Sequence, residues 1–125
     1  MARFSEKAFD EIVSRAIDSI PMEIRQHLEN ILIAVQDEPD EEMLAEAGVP
    51  PGDTLFGLYR GVPLMERSVI DPPLYPDMIF IFKNPLEQAF STRLELIEEI
   101  GITVVHEVAH ALGLSDAELD SLGYG

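Results

Sequence analysis

The stretch TRLELIEEIGITVVHEVAHALGLSD, residues 92–116, decides the fold. Thr92 and Glu95 form a capping box that predicts the start of a helix, and Gly113 is placed to end that helix in a left-handed cap. Between these ends the apolar residues recur at helical spacing and cover more than one side: Ile97, Ile100, Val104, Val105, Val108, Ala109, Ala111 and Leu112. This pattern predicts a long central helix. Gly101 costs about 1 kcal/mol relative to alanine there, which indicates close packing against a neighbour.

The rest of the chain predicts shorter elements around that helix. Three apolar runs are typical of strands: 31–35, 55–61 and 78–82. Capping and apolar patterns predict further helices: one capped by Ser5 with an apolar face from Phe9 to Ile20, one from Met22 to Asn30, one from Asp40 to Gly48, one begun by an Asn84 cap with Pro85 following, and one from Ser115 to about Gly123. A proline-rich loop runs from Pro63 to Pro76. The chain is therefore predicted to be a single α+β domain over residues 1–125, with a small sheet of about three strands packed on the long helix.

The segment HEVAH places two of the chain's three histidines on one face of the long helix. Residues four apart are rotated by about 40° and separated by about 6 Å along the axis, so His106 and His110 can bind one Zn²⁺ ion. Glu107 lies about 100° further round the helix. This arrangement is typical of H-E-x-x-H zinc hydrolases, in which the glutamate is the general base.

A catalytic zinc needs a third protein ligand. Gly113 allows the chain to reverse after the helix, and Asp116 stands where the chain would return to the metal. Asp116 could instead be an ordinary acid in the first turn of the last helix, where the dipole favours it. Glu118 and Asp120 are then the alternative ligands.

The sequence HEVAHALGLSD resembles the motif of metzincin- and aspzincin-type peptidases, with Asp116 where most metzincins carry a histidine. The whole chain is similar to a small bacterial family of zincin-like, or minimal, metallopeptidases. The similarity extends over LFGLYRGVPLMERS, MIFIFKNPLEQAF and ITVVHEVAHALGLSDAELDSLGYG. The resemblance implies a compact zincin-like fold, zinc as cofactor and a peptide or protein substrate. It makes His106, His110 and Asp116 the zinc ligands and Glu107 the base.

Composition limits the other possibilities. The 24 acidic and 8 basic residues give a formal net charge of −16, which disfavours nucleic acid and anionic membranes as partners. The chain has no cysteine, so a metal must be held by histidines and carboxylates. The N-terminal segment lacks an apolar signal core, and we expect a cytoplasmic protein.

Several alternatives stay open from the sequence. The domain could be a non-catalytic zinc-binding or protein-interaction module of the same fold. Residues 78–82 could bind extended substrate by strand addition. Tyr59 or Tyr124 could donate a hydrogen bond to an oxyanion, and His27 is expected to be an ordinary surface residue.

Overall fold

The computed structural model describes residues 3–61 and 77–121. Along these residues lie helices α1 (Glu6–Asp18), α2 (Met22–Arg25), a 3₁₀ turn (Gln26–Leu28), strand β1 (Ile31–Gln36), helix α3 (Glu41–Glu46), strands β2 (Gly57–Arg60) and β3 (Asp77–Phe82), and helices α4 (Lys83–Ala89), α5 (Arg93–Leu112) and α6 (Asp116–Ser121). The predicted loop Pro63–Pro76 and Tyr124 lie outside the described residues. The α+β class is confirmed.

The three strands form one mixed sheet in the order β1-β3-β2. Strand β3 pairs in parallel with β1 and antiparallel with β2, so both of its edges are occupied. The hypothesis that residues 78–82 receive a substrate strand is therefore wrong, because a central strand has no free edge to offer. Strand addition requires an edge strand, and β2 is one edge of the described sheet.

The core lies between one face of the sheet and helices α1 and α5. Ile79 and Ile81 of β3 point into it and are fully buried, as are Ile100 and Val104 of α5. The alternating residues Phe80 and Phe82 point to the other face, where a smaller cluster forms around Met43 and Leu58. Both faces of β3 are covered, which explains why its sequence is apolar throughout rather than alternating.

Helix α5 begins and ends as its sequence predicts. The hydroxyl oxygen of Thr92 accepts a hydrogen bond from the Glu95 amide at 3.1 Å, and Gly113 has the left-handed conformation at φ 76°. The apolar stripe is buried as far as Ala109, whereas Ala111 and Leu112 are exposed. The helix therefore leaves the core where the histidine segment ends.

Two local predictions are wrong. Helix α4 begins at Lys83 directly after β3, and no side chain caps it. Asn84 is thus inside the first turn, where its amide donates to the Asp37 carbonyl at 2.9 Å. Gly101 is buried, but an added Cβ would lie 3.6 Å from the Ala16 carbonyl oxygen, which is ordinary contact rather than unusually close packing.

Candidate metal centre

The two motif histidines lie one turn apart near the C-terminal end of α5. Their ring centroids are 6.5 Å apart, with the ring planes tilted by 47°. His106 is half-buried and His110 is exposed. The helix thus brings both imidazoles to one solvent-accessible region, as their spacing predicts. The third histidine, His27, lies in the 3₁₀ turn and is exposed, as expected.

Glu107 lies between the histidines in sequence and is half-buried. Burial raises the pKa of its carboxyl above the ordinary value of 4.5, although nearby His110, a backbone hydrogen bond from Tyr59 and His106 act in the opposite direction. A carboxylate with a raised pKa is a better proton acceptor at neutral pH than an ordinary glutamate. The position of Glu107 therefore suits a general base.

The backbone hydrogen bond from Tyr59 was not foreseen from the sequence. Tyr59 lies on β2 opposite Ile79, and the neighbouring ladder includes a bond from the Phe82 amide to the Phe56 carbonyl at 2.9 Å. Because backbone groups alternate in direction along an antiparallel ladder, the amides of Gly57 and Tyr59 point away from β3. Strand β2 lies against helix α5, and its Tyr59 backbone lowers the pKa of the Glu107 carboxyl.

The Tyr59 side chain has a partner of its own. Its hydroxyl donates to the Asp77 carboxylate, with the oxygens 2.5 Å apart. A phenol has one proton to donate, so in this structure that proton is committed to Asp77 rather than to a substrate oxyanion. The oxyanion role suggested for Tyr59 therefore needs a rearrangement of this pair.

Asp116 begins helix α6, and its side chain lies outside the part that the structure describes. Among the residues whose side chains are described, no group of three or more His, Asp or Glu side chains is arranged to hold a metal ion. Of the alternative ligands, Glu118 accepts a hydrogen bond from the Ser115 hydroxyl at 3.2 Å, and Asp120 is exposed. The assignment of the third ligand stays a prediction.

Comparison with known proteins identifies the class. The family model of the zincin-like metallopeptidases matches residues 28–125. The chain belongs to this family, which confirms the resemblance seen in its motifs. No curated protein matches the chain. Within residues 3–61 and 77–121, none of the helices combines the length and the apolar character that a bilayer crossing requires.

The family implies a zinc cofactor, and the two histidines fit one. The two imidazole rings would be two of its ligands, because histidine nitrogen is a common ligand of Zn²⁺. Their ring centroids lie 6.5 Å apart on one side of the helix.

Two features of strand β2 that bear on the site were missed from the sequence, namely the Tyr59 amide and Gly57. A signal for the second was present, since a glycine inside the predicted strand LFGLYRG indicates close approach of another group to the backbone. The glycine alone does not identify the group that approaches the backbone, because the sequence does not give the order of the strands.

Proposed function

We propose that the chain is a zinc-dependent peptidase with Glu107 as its general base. The observation that carries the proposal is the half-buried Glu107 carboxyl, whose pKa is raised by burial and which lies on the same helix as the two histidines. Membership of the zincin-like metallopeptidases supports the reaction class. An ordinary surface glutamate on a helix keeps its carboxylate in water. Glu107 is half-buried instead, and titratable groups whose pKa is shifted by burial are common at functional sites.

His106, His110 and Asp116 are proposed to hold the metal. The left-handed turn at Gly113 and the hydrogen bond from the Leu114 amide to the Ala109 carbonyl, 2.8 Å, reverse the chain after α5. This reversal supports a return of Asp116 toward the histidines. Bound zinc would lower the pKa of water toward about 7 and polarise the scissile carbonyl.

The residues of the chain then have separate tasks. The Glu107 carboxylate accepts a proton from the attacking water and delivers it to the leaving amine nitrogen as the C–N bond breaks. The Tyr59 backbone lowers the pKa of Glu107 and so favours the charged carboxylate that acts as the base. The burial that raises the pKa of Glu107 favours the uptake of that proton from water.

The substrate is proposed to be an extended peptide that runs along the outer edge of β2. Gly57 directs its backbone groups away from β3, and backbone pairing gives affinity that depends little on sequence. The net charge of −16 favours peptides with basic residues by long-range attraction. A peptide on this edge lies beside Glu107, where its scissile bond must be.

A peptide-library cleavage assay with Glu107→Gln tests the proposal. The wild type with zinc is expected to cleave, and the variant is expected to retain zinc while its turnover falls at least 10²-fold, the usual contribution of a general base. Glu98→Gln, an exposed position on the same helix, is the matched control and should keep full activity. Turnover retained in Glu107→Gln would contradict the role of the base.

A further inference from the structure

The segment that leaves helix α5 and enters helix α6 is anchored to the core at two points. Leu114 packs against the core, and its amide donates to the Ala109 carbonyl at 2.8 Å. Leu119 of α6 is buried in the same core. Asp116 begins α6 between these two anchors. The backbone at position 116 is therefore held near the end of the helix that carries the two motif histidines.

A reciprocal set of hydrogen bonds closes the first turn of α6. The Ser115 hydroxyl oxygen accepts from the Glu118 amide at 3.2 Å. The Glu118 carboxylate in turn accepts from the Ser115 hydroxyl at 3.2 Å and from the Ser115 amide at 3.4 Å. This arrangement is a capping box, which either glutamate or glutamine can complete at its last position. Because Asp116 directly follows Ser115, the box fixes the backbone at Asp116.

We propose that Glu118 is a positioning residue for the metal site: its carboxylate closes the capping box on Ser115, and the box holds the start of α6 where Asp116 can reach the zinc bound by the two motif histidines. The inference rests on the proposed function, in which Asp116 is the third ligand. A ligand whose backbone is already ordered loses less freedom when the metal binds, so affinity is higher. Glu118 thus acts through Asp116 and does not itself contact zinc.

Zinc affinity of the full chain, measured by competition with a chelator, tests the inference without requiring activity. Glu118→Ala opens the capping box, and we expect zinc binding to weaken about fivefold, which corresponds to about 1 kcal/mol, the typical contribution of a helix cap. Glu118→Gln keeps the box and should bind zinc within twofold of the wild type. If Glu118 were itself a ligand, both substitutions would weaken binding, because zinc prefers a carboxylate to an amide.

A double-mutant cycle separates positioning from a merely structural role. Once Asp116→Ala has removed the proposed ligand, Glu118→Ala should have no further effect on zinc affinity, because Glu118 acts through Asp116. Asp120→Ala removes an exposed acid from the same helix, so it is the control for charge and should bind zinc within twofold of the wild type. An equal loss in Asp120→Ala overturns the inference, as does a further fivefold loss when Glu118→Ala is added to Asp116→Ala.

Zinc binding by the wild type separates the inference from the proposed function. If the wild type and Glu118→Ala bind zinc equally well, the inference is overturned and the proposed metal site stands. Equal loss in Glu118→Gln and Glu118→Ala also overturns it and makes Glu118 a ligand. A wild type that binds no zinc overturns the proposed function, and the inference with it. Ser115→Ala opens the box from its other side, so it should reproduce the fivefold loss, and wild-type affinity in that variant overturns the inference.

Discussion

Gly57 of β2 lies so close to Thr103 of α5 that a Cβ built on the glycine would be 2.7 Å from the Thr103 Cγ2 methyl. Gly57 and Thr103 are far apart in sequence, and Thr103 lies on the helix that carries both motif histidines. Two residues further along β2, the Tyr59 backbone lowers the pKa of the Glu107 carboxyl against the effect of burial. The candidate site is therefore a junction of two elements rather than a property of the helix alone.

The stability of the metal-free protein should fall as pH rises because of Glu107. Burial raises the pKa of this carboxyl in the folded state above 4.5, its ordinary value. The folded state therefore binds the proton more tightly than the unfolded state, and stability is lost as pH increases from about 4.5 toward the raised pKa. Glu107→Gln removes this loss because the amide does not ionise, and it keeps the size of the side chain.

The measurement is thermal unfolding of wild type and Glu107→Gln, both without zinc, between pH 4 and pH 8. We expect the variant to gain stability relative to the wild type as pH rises. Glu98→Gln, exposed on the same helix, is the control and should stay within about 0.5 kcal/mol of wild type. A gap between Glu107→Gln and wild type that narrows with rising pH would show that the carboxylate is not disfavoured by burial.

Removing one partner of the buried ion pair of Lys83 and Glu87 should destabilise the protein far more than removing one partner of the exposed pair of Arg60 and Glu46. The first pair has side chains only 12% and 5% exposed and a separation of 2.9 Å, and Glu87 also accepts from the Phe4 amide at 2.7 Å. Glu87→Ala leaves the largely buried Lys83 ammonium and the half-buried Phe4 amide without their acceptor, at a cost of about 3–5 kcal/mol.

Glu46→Ala is the matched comparison, because the side chains of that pair are 42% and 39% exposed. Its cost should be less than about 1 kcal/mol. Denaturant unfolding of the two variants gives both values. Equal destabilisation by Glu87→Ala and Glu46→Ala would contradict the burial of Glu87 and its hydrogen bond with the Phe4 amide.

Replacing Gly101 by alanine should stabilise the protein. The new Cβ would meet the Ala16 carbonyl oxygen at 3.6 Å and the Ser19 hydroxyl oxygen at 3.7 Å, both ordinary contacts. A glycine inside a helix is less favourable than alanine by about 0.5–1 kcal/mol. Gly101→Ala should therefore raise the free energy of unfolding by about that amount in a denaturant titration. Destabilisation by more than 1 kcal/mol would show that α1 and α5 pack more closely than described.

Helix α1 should be indispensable although it precedes the region that matches the family, residues 28–125. Ile12 of α1 is fully buried in the core against α5. Ile12→Ala should cost about 2–5 kcal/mol, whereas Glu11→Ala, at the exposed neighbouring position, should change stability by less than about 0.5 kcal/mol. Similar values for both variants in chemical unfolding would mean that α1 is not part of the core.

The long helix could be predicted closely because its signals are local. A capping box at Thr92, a left-handed glycine at Gly113 and an apolar stripe between them each depend on neighbouring residues only. The same holds for Ser5 and Asp40, whose side-chain oxygens accept from the amides three residues later. The pairing of His106 and His110 on one face follows from the helix and needed no tertiary information.

What could not be predicted depends on contacts between distant segments. Strand β3 is central because it pairs with both β1 and β2. The apolar sequence of a strand does not indicate which other strands lie on either side of it. The cap expected at Asn84 does not form because helix α4 begins at Lys83, directly after β3. Lys83 forms an ion pair with the buried Glu87, one helical turn later. The Tyr59 contact with Glu107 likewise required the sheet order before it could be seen.

Zinc content of the purified full chain tests the central claim most directly. We predict one zinc per chain by elemental analysis in the wild type, complete loss in His106→Ala and in His110→Ala, and full retention in His27→Ala, the exposed histidine of the 3₁₀ turn. Zinc that is absent from the wild type after saturation, or that is lost equally in His27→Ala, would contradict a metal site built on the HEVAH segment.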